Sequence, residues 1–566
     1  MKKIIILIIV LNLLSCEEAI EIIPDPVVES QKLKAHSEEF KKEIITVAEG
    51  VHVAIGYALA NSIMIEGDGA NIIVDTTGTL ETATEIKNLF DKINSNPVAA
   101  IIYTHNHGDH IYGAKAFTLN SMPDIYAHKT TQKYINRVLG IVRPIISDRS
   151  SKMFGNGFPV SSIENNGIGP FLEIGRNSRT SGLLAPTVVF EDKLKVTIAG
   201  IKLELMHAPG ETNDQILVWI PEKKILLPGD NFYKAFPNLY TIRGTPYRDL
   251  VGWVRSLDIM RYLKPDYLIP SHSRPLYGKD QIYKALTNYR DAIQFVHDQT
   301  IRMMNKNMTP DEISSQIKLP THLQDSPFLE EFYGTPAWSA RNVFSGYLGW
   351  FDGNPSNLNP IPPSEEAYKI IELAGGYDNL LEEAKNSYEE KDYQWCLQLT
   401  DYLIEANRTK EAIELRFSAL NKLGELQSNP NARYFYLSSA KDLINRPQKT
   451  LLAKPTVEIL QQYPINVLFE TLKVNLIPEK SLDKDISILF NFIDTGKIFT
   501  LILRQGVLEV QPNLIEGFDI QVSSTEQVWK EIVVGLRSLP VALATGEIKV
   551  SGEQLALISF FNSFRE

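Results

Sequence analysis

The stretch THNHGDH, residues 104–110, places three histidines and an aspartate within seven positions of a chain that has ten histidines in all. In an extended segment, residues i and i+2 point to the same side, so His105 and His107 can bind one cation together. Gly108 then allows a sharp turn, after which Asp109 and His110 face a neighbouring position. Imidazole and carboxylate ligands suit zinc, with iron or manganese as alternatives. The motif therefore predicts a two-metal site whose remaining ligands come from elsewhere in the chain.

Three further candidate ligands follow apolar segments and adjoin a Gly or Pro that favours a turn. They are Glu211 in HAPGETND, Asp230 in LLPGDN and His272 in IPSHSRP. An isolated acid after a strand is usually a helix cap or a surface residue. All three candidates, however, come after the histidine motif at the edge of one inferred sheet, which favours a shared site.

The segments around the motif predict alternating strands and helices. Residues 49–77 carry two apolar runs about a Gly-Asp-Gly turn signal and a buried strand that ends at Asp75. A helix with apolar residues at helical spacing follows, and VAAIIY is a second buried strand just before Thr104. Further strands are predicted at KLKVTIAGIKLELMHA, ILVWI, KILLPGD and DYLIPSH. In such α/β patterns, sites lie beyond the carboxyl ends of the strands, which is where the motif stands.

The rest of the chain changes character twice. Residues 364–444 show the three-and-four spacing of paired amphipathic helices, and ISILFNFIDTGKIFTLILRQGVLEV is typical of a hairpin. The Pro-rich NPIPPSEE and NRPQKTLLAKP are the predicted linkers. We predict an α/β catalytic domain over residues 36–340, a helical domain over 341–450 and an α+β domain over 451–566.

The first residues, MKKIIILIIVLNLLSC, indicate a targeting signal. Two lysines precede an apolar run that is too short to span a bilayer comfortably. The run ends in Leu-Leu-Ser-Cys, which resembles a bacterial lipoprotein cleavage box, so residues 1–16 are predicted as a signal peptide with Cys16 as the lipidated residue, followed by a linker over 17–35. The expected location is a periplasmic membrane face or the cell surface, with plain secretion as the alternative.

Composition excludes some classes of partner and of stabilisation. The chain has 566 residues, of which 44% are hydrophobic and 22% charged, and its net charge is −11. It has no dense Lys/Arg cluster, so nucleic acid is not an expected partner. The two cysteines give no disulfide framework, and Cys396 is predicted to be a small core residue.

The motif THNHGDH followed by Gly113 resembles the signature of the metallo-β-lactamase superfamily. That resemblance implies an αββα sandwich with a binuclear metal site. Most members have a histidine in the turn that here reads GET, and a glutamate there resembles the alkylsulfatase branch. Three further segments are similar to alkylsulfatase sequences: FPNLYTIRGTPYRD, GYLGWFDGNPSNLNPIPP and GGYDNLL. The likeness implies that the helical domain dimerises, giving a homodimer, and that the last domain is similar to a sterol-carrier protein.

The resemblance also implies a role for each candidate residue. Two Zn²⁺ ions, or other divalent metals, would be held by seven side chains: His105, His107 and Glu211 at the first ion, Asp109, His110 and His272 at the second, and Asp230 between them. The branch usually has glutamate where this chain has Asp230. Arg243 in TIRGT matches an arginine that holds the sulfate group, and the further substrate-binding candidates are Tyr233, Tyr240 and Arg248.

The expected reaction is hydrolysis of an alkyl sulfate, an amphiphile similar to dodecyl sulfate, to alcohol and inorganic sulfate. Hydroxide shared by the ions is the expected nucleophile, with Asp109 and Arg243 as the catalytic residues. The chain departs from the branch at NRVLGIVRP, where an asparagine-rich segment is usual. Two alternatives stay open: another hydrolase of the superfamily, acting on aryl sulfates, phosphodiesters or lactones, and a non-catalytic lipid-binding lipoprotein.

Overall fold

The computed structural model describes residues 30–119, 121–176, 179–444, 460 and 463–564. The predicted signal peptide, most of the predicted 17–35 linker and the NRPQKTLLAKP segment lie outside these residues. The end of that linker differs from the prediction, because Gln31–His36 is a helix. Leu33 of this helix is fully buried and His36 Nε2 lies 2.8 Å from the carbonyl oxygen of Gly167, which ties the segment to the catalytic domain.

The first sheet contains the strands that lead to the histidine motif. Its strands lie side by side in chain order: Glu43–Ala48, Val51–Ile55, Ser62–Glu66, Asn71–Val74, Val98–Ile102, Asp124–His128 and Val188–Phe190. Neighbours are antiparallel up to Asn71–Val74 and parallel from there onward. The parallel strands Asn71–Val74 and Val98–Ile102 therefore end at the same edge, which brings Asp75 next to Thr104.

The second sheet carries the later candidate ligands. It consists of Lys193–Ile198, Ile201–His207, Ile216–Ile220, Ile225–Leu227, Tyr267–Leu268 and Leu276–Tyr277, again in chain order. Only Ile225–Leu227 and Tyr267–Leu268 pair in parallel among these described strands. As a result, the loops that contain Asp230 and His272 leave the sheet at one edge.

Apolar side chains alternate between the two faces of each sheet. Val53, Ile65 and Val74 of the first sheet pack against Leu205, Val218 and Leu227 of the second, which forms the core between them. The opposite face of the first sheet is covered by the helix Leu80–Phe90 through Ala83, Ile86 and Phe90. The other face of the second sheet is covered by Leu250–Leu263, Lys279–Met304 and Pro336–Leu348. This arrangement is the predicted αββα sandwich.

Shorter helices complete the catalytic part of the chain. They are Gly108–Ile111, Thr131–Leu139, Arg143–Met153, Pro310–Gln316 and Thr321–Gln324. No helix of the described residues is both long and apolar enough to cross a bilayer.

A helical unit comprises Ile361–Leu426 together with the segment that begins at Tyr436. Its helices are Pro363–Leu373, Tyr377–Glu389, Tyr393–Ala406 and Lys410–Leu426. The part of the helix Pro430–Ile444 that begins at Tyr436 also belongs to this unit. Cys396 is fully buried in this unit, which confirms the prediction that it is a core residue.

The C-terminal part has an α+β fold. Its sheet has the strand order Val507–Gln511, Ile498–Arg504, Asp485–Phe492, Ile520–Ser524 and Lys549–Gly552. The helices are Ile465–Asn475, Glu526–Val533, Leu539–Ala544 and Gln554–Asn562. The predicted hairpin is confirmed, with Phe490 opposite Phe499 across it.

Candidate metal centre

The predicted ligands leave different strands and converge at one edge of the sandwich. Donor atoms of His105, His107 and Asp230 lie within 4.8 Å of one another, and those of Asp109, His110 and His272 do the same. Asp230 lies between the two groups, because its carboxylate is 3.4 Å from His105 Nε2, 3.4 Å from His110 Nε2 and 3.3 Å from His272 Nε2. Residues that are far apart in the chain thus form one cluster.

Three of the histidines present the same nitrogen to the cluster. His110 Nδ1 donates to Asp75 Oδ2 at 2.8 Å, and His272 Nδ1 donates to the carbonyl oxygen of Leu59 at 2.9 Å. His105 Nδ1 lies 3.0 Å from the hydroxyl of Thr104, which in turn donates to Asp75. A hydrogen bond at Nδ1 leaves Nε2 as a lone-pair donor, which is how proteins orient a histidine toward a metal.

The spacing of the donor atoms fits metal coordination. Two ligands at about 2.0–2.1 Å from a tetrahedral zinc ion lie about 3.3–3.4 Å apart. His110 Nε2 is 3.4 Å and His272 Nε2 is 3.6 Å from Asp109 Oδ2. His110 Nε2, His272 Nε2 and Asp230 Oδ1 are buried without a hydrogen-bond partner among the described residues. Buried polar atoms of this kind require a partner, and a divalent cation held by the cluster would supply it.

The buried carboxylates of the cluster are also stabilised by positive charge on its histidines. Burial opposes ionisation of Asp230, yet His272, His110 and His105 hold its pKa well below the usual value. Burial would lower the pKa of His110, but the carboxylates of Asp230 and Asp109 raise it well above the usual value. In the metal-free protein, protons therefore supply the charge that a cation would supply.

Glu211 lies beside this cluster, with both carboxylate oxygens bonded to protein groups. Oε1 is 3.1 Å from Arg248 Nη1, and Oε2 accepts a hydrogen bond from the Tyr233 hydroxyl at 2.9 Å. Burial raises the pKa of Glu211, against the opposing effect of Arg248. Its oxygens are not part of either close donor group, so a role for Glu211 as a metal ligand stays a prediction.

Of the predicted substrate-binding residues, Tyr233 and Arg248 contact Glu211. Both side chains are buried, and Arg248 also donates to the carbonyl oxygen of Asn238. The Tyr233 hydroxyl accepts a hydrogen bond from the backbone amide of Asn238 at 2.7 Å. These contacts give the two residues a clear part in orienting Glu211, which the sequence does not reveal.

Arg243 lines a cavity next to the cluster. Its Nη2 lies 3.3 Å from His107 Nε2, and burial lowers the pKa of both side chains, that of His107 strongly. The empty space of the cavity, including the part that is open to solvent, is about 490 Å³. Arg248 also lines this cavity, whereas Tyr240 is half-buried and does not line it.

Asp75 is a residue of the site that sequence reasoning missed. Its fully buried carboxylate accepts hydrogen bonds from the Thr104 amide and hydroxyl, from His110 Nδ1 and from the Ser271 hydroxyl. The backbone at Asp75 is left-handed, with φ of 57°. An acid at the end of a buried strand beside the motif was the signal, but the sequence did not distinguish it from a cap.

The two glycines of the motif are required for space. Gly113 packs so closely on the loop after Asp75 that a Cβ there would overlap the carbonyl oxygen of Thr76. Gly108 was expected to permit a sharp turn, but its φ is outside the left-handed region and it begins a helix. A Cβ on Gly108 would instead lie 2.6 Å from the Tyr112 ring, so the need is for room.

The chain matches three family descriptions: "Metallo-beta-lactamase superfamily" over residues 56–272, "Alkyl sulfatase dimerisation" over residues 309–446 and "Alkyl sulfatase C-terminal" over residues 454–566. It is 34% identical over 520 residues to a linear primary-alkylsulfatase of Pseudomonas sp., covering 88% of this chain and 98% of the relative. The chain belongs to the alkylsulfatase family. An alkyl/aryl-sulfatase of Saccharomyces cerevisiae is 28% identical, with 92% of this chain and 82% of the relative covered.

A solved alkylsulfatase has the same architecture. The stereoselective inverting sec-alkylsulfatase Pisa1 of Pseudomonas sp. superposes with a TM-score of 0.87 and 27% identity, over 93% of this chain and 85% of that one. The match spans the metallo-β-lactamase domain, the helical dimerisation domain and the C-terminal alkylsulfatase domain. The predicted fold class and family are thereby confirmed.

Proposed function

We propose that this alkylsulfatase family member hydrolyses alkyl sulfate esters to an alcohol and inorganic sulfate at the cluster described above. The observation that carries the proposal is the pair of donor groups, with the Asp230 carboxylate close to both, beside a cavity lined by Arg243. Its curated relatives are named as alkylsulfatases of primary, secondary and aryl type, which supports this substrate class.

The proposed cofactor is a pair of divalent cations, with zinc as the first choice. His105, His107 and Glu211 would hold one, Asp109, His110 and His272 the other, with Asp230 shared. When bound, such cations supply Lewis acidity and make water acidic enough to act as a nucleophile near neutral pH. The protein orients this site through Asp75, Thr104 and the carbonyl oxygen of Leu59, which fix the histidine rings.

Arg243 is the proposed sulfate-binding residue. Hydrolysis of a monoanionic sulfate ester places additional negative charge on the departing sulfate. A guanidinium offers a planar fork that matches tetrahedral oxyanions, and a fixed donor of this kind stabilises charge that develops in the transition state. Arg243 Nη2 lies 3.3 Å from His107 Nε2, next to the residues that would hold the first cation.

The bond that is cleaved is open to a direct test. The relative Pisa1 is named a stereoselective inverting sec-alkylsulfatase. Inversion at a carbon centre requires attack at that carbon, so we propose C–O cleavage here too. Hydrolysis in oxygen-18 water should then place the label in the alcohol. Label in the sulfate would show attack at sulfur instead.

The proposed function is tested by a substrate comparison on metal-analysed protein. Dodecyl sulfate, nitrocefin and bis-p-nitrophenyl phosphate are offered at equal concentration, and turnover of each is followed through its own product. Hydrolysis is expected for dodecyl sulfate alone. Turnover of nitrocefin or the phosphodiester in place of dodecyl sulfate would favour another hydrolase of the superfamily. Protein that holds no metal and cleaves no ester would favour a non-catalytic lipid-binding lipoprotein.

Assembly and location are proposed on separate grounds. The dimerisation match supports a homodimer. Export as a lipoprotein, tethered to a membrane through lipidated Cys16, rests on the N-terminal sequence alone. Mass spectrometry of the mature N-terminus would detect the lipid, and an unmodified N-terminus downstream of Cys16 would favour secretion.

A further inference from the structure

The cavity beside the metal cluster contains a second cationic group that faces the same space as Arg243. Arg137 lines it from the helix Thr131–Leu139, with Tyr134 and Val138 as its neighbours on that helix. The Arg137 side chain is half-buried. Within the described residues it makes no hydrogen bond and no ion pair. An arginine in a cavity with no acidic partner is available to an anionic ligand.

Other donors at this cavity are also unbonded. Arg248 Nε and Nη2 and the Thr212 hydroxyl are buried without a hydrogen-bond partner among the described residues. Both residues line the same cavity as Arg137. Buried donors without acceptors are costly unless a ligand satisfies them, and a ligand with acceptor oxygens in this cavity would do so.

The lining of the cavity has one cationic side chain more than the proposed function uses. The charged side chains that line it are Arg137, Arg243, Arg248 and Glu211. Glu211 contacts Arg248, and among these lining side chains Arg137 and Arg243 have no acidic partner. A sulfate monoester carries one negative charge, and Arg243 matches it under the proposed function. The charge of Arg137 is then without a counterpart on a simple alkyl sulfate.

We propose that Arg137 binds a second anionic group of the substrate, so that the preferred substrates are sulfate esters that also carry a carboxylate. This inference rests on the proposed function, in which Arg243 binds the sulfate. A guanidinium binds a carboxylate through two parallel hydrogen bonds, and the Thr212 hydroxyl is a further donor at the cavity. Val138 and Ile146 line the same cavity and suit the short aliphatic link between the two anionic groups.

The test uses sulfonates, which bind like sulfate esters but cannot be hydrolysed. Alkanesulfonates and chain-matched carboxyalkanesulfonates of several lengths are titrated calorimetrically into the full-length, metal-loaded protein. The carboxylated ligand of the best length is expected to bind about 10- to 100-fold more tightly, the usual range for a hydrogen bond to a charged group. In Arg137→Gln this preference should vanish, with alkanesulfonate affinity unchanged within about twofold.

Lys133→Gln is the matched control. Lys133 is exposed, lies on the same helix one turn earlier and does not line the cavity, so its removal changes net charge equally. The control should keep the full preference, and its loss there would refute a specific contact. Equal weakening of both ligands in Arg137→Gln would show that Arg137 binds the sulfur oxyanion. No preference in the unmodified protein would overturn the inference.

Sulfate release is measured in parallel to separate the two proposals. If the protein hydrolyses alkyl sulfates but shows no preference for a carboxylated ligand of any length, the proposed role of Arg137 is refuted and the proposed function stands. A carboxylate preference that depends on Arg137, in a protein that releases sulfate from no ester, refutes the proposed function and leaves the anion site standing.

Discussion

Asp75 offers a sharp test of how the metal centre is organised. Its two oxygens accept from Thr104 N at 2.9 Å, Thr104 Oγ1 at 2.8 Å, His110 Nδ1 at 2.8 Å and Ser271 Oγ at 2.7 Å. The carboxylate therefore joins the start of the histidine motif to the loop that carries His272. Asp75→Asn keeps the shape but turns one acceptor oxygen into a donor.

The expected loss of stability in Asp75→Asn follows from the groups that surround the new amide. If its NH₂ takes the place of Oδ1, two donors meet at the Thr104 amide, and if it takes the place of Oδ2, His110 loses the acceptor that orients its ring. Either arrangement loses at least one hydrogen bond to a buried charged group, which costs about 1.5–3 kcal/mol of folding free energy. Because partners that orient a metal-bound histidine affect metal affinity, we also expect about 10- to 100-fold weaker metal binding.

The assay is competitive metal titration against a chromophoric chelator, with chemical denaturation of the metal-free protein alongside. Asp68→Asn is the control, since Asp68 is an exposed acid in the turn before the same strand. That variant should match the unmodified protein in both measurements. Metal affinity and stability of Asp75→Asn within about twofold and 0.5 kcal/mol of the unmodified protein would refute the reasoning.

Three further predictions concern the cations, a buried acid and the sulfate site. Removal of metal with a chelator should abolish sulfate release and lower the thermal midpoint, and Zn²⁺ should restore both, because a ligand at about 100 times its Kd adds about 2.7 kcal/mol of stability. Burial raises the pKa of Glu173 to about 7 from 4.5; the metal-free folded state therefore holds that proton more tightly, and its stability relative to Glu173→Gln should fall by about 3 kcal/mol as pH rises from about 4.5 to 7. Arg243→Ala should lower kcat/KM for an alkyl sulfate by about 100-fold, the usual loss for one charge-stabilising donor.

Each of these has an outcome that contradicts it. Activity that persists in protein shown by elemental analysis to be metal-free would remove the cations from the mechanism. If the difference in stability between the unmodified protein and Glu173→Gln did not change with pH, the pKa of this carboxyl would be the same in the folded and unfolded states. Arg243→Ala is compared with Arg255→Ala, an exposed arginine of the helix Leu250–Leu263, and equal activity of the two variants would exclude Arg243 from the site.

Local pattern alone located the elements that position the site. The helix Leu80–Phe90 buries Ala83, Ile86 and Phe90 as its spacing predicts, and the strands before Asp75 and Thr104 are almost fully buried. These features depend on the periodicity of neighbouring residues, which a sequence displays directly. Residue type and order were likewise sufficient to nominate His105, His107, Asp109 and His110, since they are adjacent in the chain.

The partners of Glu211 were beyond the reach of sequence. Tyr233 and Arg248 are predicted substrate-binding residues, and the structure adds that both contact the Glu211 carboxylate. A side chain's direction depends on how its loop packs on other elements. Spacing along the chain does not encode that packing.

By itself, the sequence of this protein determined its alternating elements and its family, and it nominated the residues that form the cluster, because each of these inferences depends on residues that are close in the chain or on their order. Tertiary structure alone decided that Asp75, 196 positions from Ser271, connects the two halves of the site. It also decided that Arg137 and Arg243 share a cavity. Such pairings arise when two sheets pack through their apolar faces, which sets distances between residues that local pattern leaves free.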